Sequence, residues 1–156
     1  MDNSFFKDIF SFKDIAVVGL SPNPARPSNY VSKYMLENGY NIIPVNPGHK
    51  SIFNIKCFPS LDSIPTSIDI VNVFRNSKYV LPIIKDALSI EPRVIWLQDG
   101  VESNEGKILA LKSGVKFVSN DCILRRHSWG FSLHFNHFNL LFHHYTRHCI
   151  GSNRSR

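Results

Sequence analysis

The sequence is short of several things at once. Its three cysteines, Cys57, Cys122 and Cys149, stand far apart in 156 residues. They are too few for a disulfide framework, so a reducing compartment is expected. No apolar run nears the roughly 20 residues needed to span a bilayer. The first residues place Asp2, Asp8 and Asp14 among phenylalanines, without the basic start and unbroken apolar stretch of a secretory signal. A cytoplasmic protein without a membrane role is therefore expected. Charged residues make up only 19% against 43% apolar, which suits a packed core and argues against a disordered chain. No internal repeat or low-complexity block is visible, and the length leaves room for one domain.

Acid is missing from one region altogether. The formal net charge is +6. Residues 1–121 hold ten lysines and three arginines against twelve acids, a balance of +1. Residues 122–156 hold five arginines and no acid. The basicity thus belongs to a tail. The near-neutral remainder lacks the electrostatic footprint of a nucleic-acid binder.

What is present is an alternation of short apolar runs with helical patterns. Ile15-Ala16-Val17-Val18-Gly19 reads as a buried strand running into a proline-rich loop, Leu20 to Ser28. Ser28 to Asn38 reads as a helix, with Ser28 as its cap and Gly39 at the C-cap position. Tyr40–Val45 is a second strand closed by Asn46-Pro47-Gly48, and Pro44 must occupy an unpaired position there. Phe58–Pro65 reads as a connection with at most one helical turn. Further strands are expected at Ile68–Phe74, Val94–Leu97 and Val115–Val118. Helices are expected at Lys78–Ser89, with Pro82 in the first turn, and at Asn104–Ser113. Phe5, Phe6, Ile9 and Phe10 suit a short amphipathic helix beside the first strand. Near-continuous apolar strands between helices predict an α/β fold, a doubly wound, Rossmann-like five-stranded parallel sheet.

In such a sheet a ligand sits at the carboxyl ends of the strands, where strand order reverses. That rim comprises Gly19–Ser28, Asn46–Lys50, Phe74–Ser77 and Gln98–Gly100. Gly19 permits a sharp turn, Ser21 offers a hydroxyl, Arg26 offers a fork of donors, and the helix that follows supplies partial positive charge. The G-x-G-x-x-G dinucleotide fingerprint is absent, because Ser21 and Pro24 stand at its second and third glycines. The second strand ends in Asn46-Pro47, without the acid that would hold an NAD ribose. His49 and Lys50 beyond it suit a phosphate better. Taken alone, the first loop is equally a plain strand-to-helix turn.

Together the loops say more. Val17-Val18-Gly19-Leu20-Ser21-Pro22, Arg26-Pro27-Ser28, Ile43-Pro44-Val45-Asn46-Pro47 and Asp69-Ile70-Val71-Asn72-Val73-Phe74-Arg75 resemble the CoA-binding domain family, from about Ile15 to Cys122. These are small bacterial Rossmann-like proteins similar to the N-terminal domain of the succinyl-CoA synthetase alpha subunit. The resemblance implies that Ser21 and Pro22 contact the pyrophosphate or pantetheine of coenzyme A. It places Asn46, Pro47, His49 and Lys50 at the adenosine 3′-phosphate end, Phe74 and Arg75 in the nucleotide crevice, and Gln98, Asp99 and Gly100 near the pantetheine arm. The expected ligand is coenzyme A or an acyl-CoA, bound non-covalently. In the synthetase a phosphohistidine domain and a nucleotide-binding subunit do the chemistry. Here no such domain fits, and His49 is the single histidine within residues 1–121.

Binding or regulation is therefore expected rather than turnover. Asp69 and Asp99 are the candidate acids, each also readable as a cap or a solvated turn. Two rivals remain: an NAD(P)-linked oxidoreductase or CoA-transferring subunit, and an interaction module acting through the basic tail. Cys122 reads either as a small packed residue or as a thiol placed to form a mixed disulfide with coenzyme A. The reading divides the chain into a domain, 1–122, and an atypical His/Phe/Arg-rich extension, 123–156. In that extension His134, His137, His144, His148 and Cys149 have ligand spacing for a metal, although no acid accompanies them. Oligomeric state is not legible.

Overall fold

A computed structural model describes residues 3–131. The elements follow as α1 (Asn3–Ile9), β1 (Asp14–Val18), α2 (Pro27–Glu37), β2 (Asn41–Val45), β3 (Ser51–Ile52), β4 (Ile55–Lys56), β5 (Ile70–Val73), α3 (Val80–Ser89), β6 (Val94–Leu97), α4 (Asn104–Lys112), β7 (Lys116–Val118) and α5 (Ile123–Phe131). A 3-10 turn, Ser77–Tyr79, leads into α3. Five strands form one parallel sheet in the order β2-β1-β5-β6-β7. A single parallel bridge from Val45 to Phe58 continues the sheet beyond β2. With it, the strand order is that of the doubly wound dinucleotide folds, and the reversal falls between β1 and β5. Pro44 turns its carbonyl outward to the Phe58 N–H at 2.9 Å. Its missing N–H therefore lies on the outer side and costs no bond to β1.

Both faces of the sheet are covered, as the unbroken apolar runs predict. Ile15, Val17, Ile70, Val94 and Trp96 join α1, α2 and α5 in one core. Ala16, Val18, Val71, Val73, Ile95 and Leu97 alternate with them and join α3 and α4 in the other. Trp96 is fully buried and packs at a tilt against Phe6 and Phe10 at ring distances of 5.8 and 6.0 Å. Its indole N–H donates to the Asp121 carbonyl at 2.7 Å, so burial leaves no orphan donor.

Two local details differ from expectation. Ser28 does not cap α2. Pro27 takes the first helical position, which its fixed φ and absent N–H favour, and Arg26 becomes the N-cap residue without a side-chain cap bond. Ser28 then stands one residue inside the helix, where its hydroxyl accepts from the Ser21 N–H at 3.1 Å. The second difference is the β3–β4 hairpin, absent from the sequence reading. Its two-residue turn puts Phe53 and Asn54 at φ of 57° and 60°, the left-handed geometry that favours glycine or asparagine. Elsewhere the signals hold. Gly39 has φ of +83°, and the Gly39 and Tyr40 N–H groups close α2 on Leu36 and Met35.

The first nine residues after Cys122 form α5, which packs on α1 and α2. Ile123 and Leu124 are buried, each contributing about 1.5–3 kcal/mol. His127 is buried among Phe10, Tyr34 and Tyr40, with its Nδ1 3.0 Å from the Tyr34 hydroxyl. Burial, and then the nearby Lys13, push its pKa down to about 4, so it sits there neutral. Residues 132–156, including the spaced histidines and Cys149, lie outside the described residues. Among those described, no helix is long and apolar enough to cross a membrane.

Candidate functional site

The carboxyl ends of β1, β5 and β6 open into a cleft of about 840 Å³ at the point where strand order reverses. One wall is the loop after β1 and the first turn of α2. The other is the loop after β5, with the turn after β6 closing the end.

The first loop is held rigid by its own side chains. Gly19 has φ of +86° and donates its N–H to the Val45 carbonyl at 3.0 Å. A Cβ there would lie 2.7 Å from the Phe74 carbonyl oxygen and 3.1 Å from Arg75 Nε. Glycine is thus what lets the two walls approach. The Asn29 amide donates to the Ser21 carbonyl at 2.7 Å, and the Ser21 hydroxyl accepts from the Asn23 N–H at 3.2 Å. Asn46 reaches across from β2, donating to the Leu20 carbonyl at 2.8 Å and accepting from the Gly48 N–H at 2.9 Å. The loop therefore holds its shape before any ligand arrives.

The far wall is braced in the same way. The Ser77 hydroxyl donates to the Gly100 carbonyl at 3.3 Å and accepts from the Glu102 N–H at 3.0 Å, joining the two turns. Gly100 donates to Asn120 Oδ1 at 2.8 Å. Below the rim, Gln98 donates from Nε2 to Asn72 Oδ1 at 2.7 Å, a buried polar pair between two core strands.

The cleft brings together most of the residues the sequence nominated. Gly19, Ser21, Arg26, Ser28, Phe74, Arg75, Gln98, Asp99 and Gly100 line it. Pro22, Asn46, Pro47, His49 and Lys50 do not. Asn46 is occupied in bracing the loop, while Pro22, Pro47, His49 and Lys50 are exposed beside it. Tyr30, Val31, Asn76, Val101 and Cys122 also line the cleft. Sequence reasoning passed over the α2 pair, although a loop that opens into a helix always carries that helix's first turn with it. Cys122 is buried in the wall, and burial pushes the more distant Cys57 thiol up.

The electrostatics are lopsided. Arg26 and Arg75 face the cleft, and among the described residues neither takes part in an ion pair. Asp99 is the lining acid, and Arg125 of α5 grips it through two hydrogen bonds of 2.9 and 2.8 Å. Arg125 comes from a stretch that the sequence reading set apart from the site. Asp69, the other candidate acid, is at the opposite end of β5. There it accepts from the Lys13 and Asp14 N–H groups, each at 3.1 Å, and pairs with Arg93. It is a brace between strands. The cleft can thus bind a polyanion through two guanidinium forks and the α2 N-terminus. No three His, Cys, Asp or Glu side chains converge as a metal site among the described residues.

A family model for the CoA binding domain matches residues 13–128. The chain belongs to this family, and the match runs past Cys122 into α5. The uncharacterized protein YneT of Bacillus subtilis is 40% identical over 116 residues, covering 74% of this chain and 86% of that protein. Acetate–CoA ligase [ADP-forming] II of Archaeoglobus fulgidus is 33% identical over 76 residues, covering 47% of this chain and 11% of the ligase. The crystal structure of Prb, the PH1109 protein redesigned for binding, superposes with a TM-score of 0.83 at 30% identity, covering 88% of this chain and 97% of that one.

Proposed function

We propose that this member of the CoA-binding domain family holds coenzyme A or an acyl-CoA non-covalently in the cleft at the strand-order reversal, and acts as a cytoplasmic ligand-binding or regulatory protein. The observation that carries the reading is the pair Arg26 and Arg75, neither in an ion pair among the described residues, in a cleft whose acid is already held by Arg125. Coenzyme A carries a pyrophosphate and a 3′-phosphate. The pyrophosphate would lie against Ser21, Arg26 and the first turn of α2, with Arg75 opposite. The 3′-phosphate would lie outward toward His49 and Lys50, beyond the brace that Asn46 forms. The pantetheine arm would run past Phe74 and Gln98 toward Gly100. No paired general base and nucleophile faces the cleft among the described residues, which supports binding over turnover.

Titration calorimetry with coenzyme A, dephospho-coenzyme A and NADP tests the assignment. Coenzyme A is expected to bind tightest, and loss of the 3′-phosphate to weaken binding by roughly tenfold or more. A preference for NADP overturns the reading.

A further inference from the structure

The helix that the sequence reading separated from the domain contributes a charge to the mouth of the cleft. We propose that Arg125, on α5, is a specificity-determining residue that acts through Asp99: by cancelling that carboxylate it makes the cleft accept a polyanion. The inference rests on the reading that coenzyme A is the ligand.

Asp99 lines the cleft and its side chain is 47% exposed, so an uncompensated carboxylate there would add a negative charge to the cleft that a polyanion must enter. Arg125 meets both of its oxygens, Nη1 to Oδ2 at 2.9 Å and Nη2 to Oδ1 at 2.8 Å. Arg125 also donates to Asp121 Oδ1 at 3.0 Å, while Arg126 donates to the other Asp121 oxygen. Two guanidiniums thus balance two carboxylates. Arg126 serves Asp121, which leaves the Arg125 charge for Asp99. Arg125 does not itself line the cleft, so its effect on a ligand passes through the carboxylate it covers. Without it, two carboxylates would share one guanidinium, and this four-residue cluster would pass from neutral to a net negative charge that offsets part of the Arg26 and Arg75 charge. A like charge in a half-enclosed cleft that a polyanion enters is enough to change affinity by about an order of magnitude.

A purely structural role would pin the turn after β6 and nothing more. Two substitutions separate the roles. Arg125→Gln removes the compensating charge. Asp99→Asn keeps an acceptor for Arg125 and removes the charge that needs compensating. Calorimetry with coenzyme A is run on the full chain, the two single variants and the double variant, at low and high salt. At low salt Arg125→Gln is expected to bind about tenfold more weakly, with the loss shrinking as salt screens the mouth. Asp99→Asn is expected to bind several-fold tighter than the unsubstituted chain, and the double variant to return to within about threefold of it. Unchanged affinity in Arg125→Gln overturns the inference, as does a double variant no better than Arg125→Gln. Should Arg125→Gln fail to fold, Asp99→Asn alone decides: tighter binding supports the inference, equal or weaker binding overturns it. If the unsubstituted chain does not bind coenzyme A, the functional reading falls and this inference with it. If it binds and only the variants disobey, this inference alone falls.

Discussion

The two rims of the sheet are built from the same residue types and put them to opposite uses. At the amino ends of the strands the two cations that line the hollow, Arg93 and Lys116, are each paired with an acid. Asp69 ties Lys13 and Asp14 to Arg93, Asp14 accepts from Asn41 at 2.8 Å, and Lys116 pairs with Asp8 at 2.9 Å. Arg93 and Lys116 also lie over the Phe12 ring. At the carboxyl ends, polar side chains fix the loops, while Arg26 and Arg75 are left without an acid among the described residues. Both rims have a hollow, about 470 Å³ at the first and about 840 Å³ at the second. Concavity alone therefore does not mark a site. A concave surface whose positive charges are uncommitted does, because a folded chain gains nothing from leaving two guanidiniums on one cleft unless something else pairs them.

The comparison breaks most severely at Gly19. Gly19→Val would force a branched side chain to a positive φ and drive its Cβ into the Phe74 carbonyl. A loss of about 3–5 kcal/mol in urea unfolding is expected, together with loss of coenzyme A binding. Asp69→Ala attacks the opposite rim. It strips the acceptor from two backbone N–H groups, so about 2–3 kcal/mol of stability should go while ligand affinity stays unchanged. Weakened binding in that variant would show that the rims are not independent. Arg26→Ala is its mirror image. About 1.5–3 kcal/mol of binding should be lost at constant unfolding midpoint, and an unaffected affinity would remove Arg26 from the site.

The smallest effect comes from pH. His127 titrates near 6.5 when unfolded and near 4 when folded, so the unfolded chain binds the proton first. Stability is therefore full above pH 6.5 and falls as pH drops from there toward 4. The expected loss is about 1–2 kcal/mol at pH 5, and His127→Gln should flatten that slope. A slope that survives the substitution assigns the acid sensitivity elsewhere.

Several of these features were legible in the chain, and the reason is local. The runs at Ile15–Val18, Ile70–Val73 and Val94–Leu97 are apolar at every position or nearly so, which only a strand covered on both faces requires. Gly39 and Gly114 follow helical patterns and take positive φ. The other features lack a distinctive local signal or depend on distant partners. The Phe53-Asn54 turn has no glycine to announce it. Ser28 looks like a cap until Pro27 takes the first helical position ahead of it. Asn46 looks like a ligand contact, yet its amide is used on Leu20, 26 residues away. Arg125 and Asp99 are likewise 26 residues apart, with a helix and a strand between them.

The sequence by itself determined the layered α/β architecture, the five strands and the loops that meet at one rim, since hydrophobic periodicity and turn chemistry are written within a few residues of where they act. Tertiary structure alone decided which charges at that rim stay free. Pairing depends on which side chains the folded chain brings within about 3–4 Å of each other, and no spacing along the chain encodes that distance.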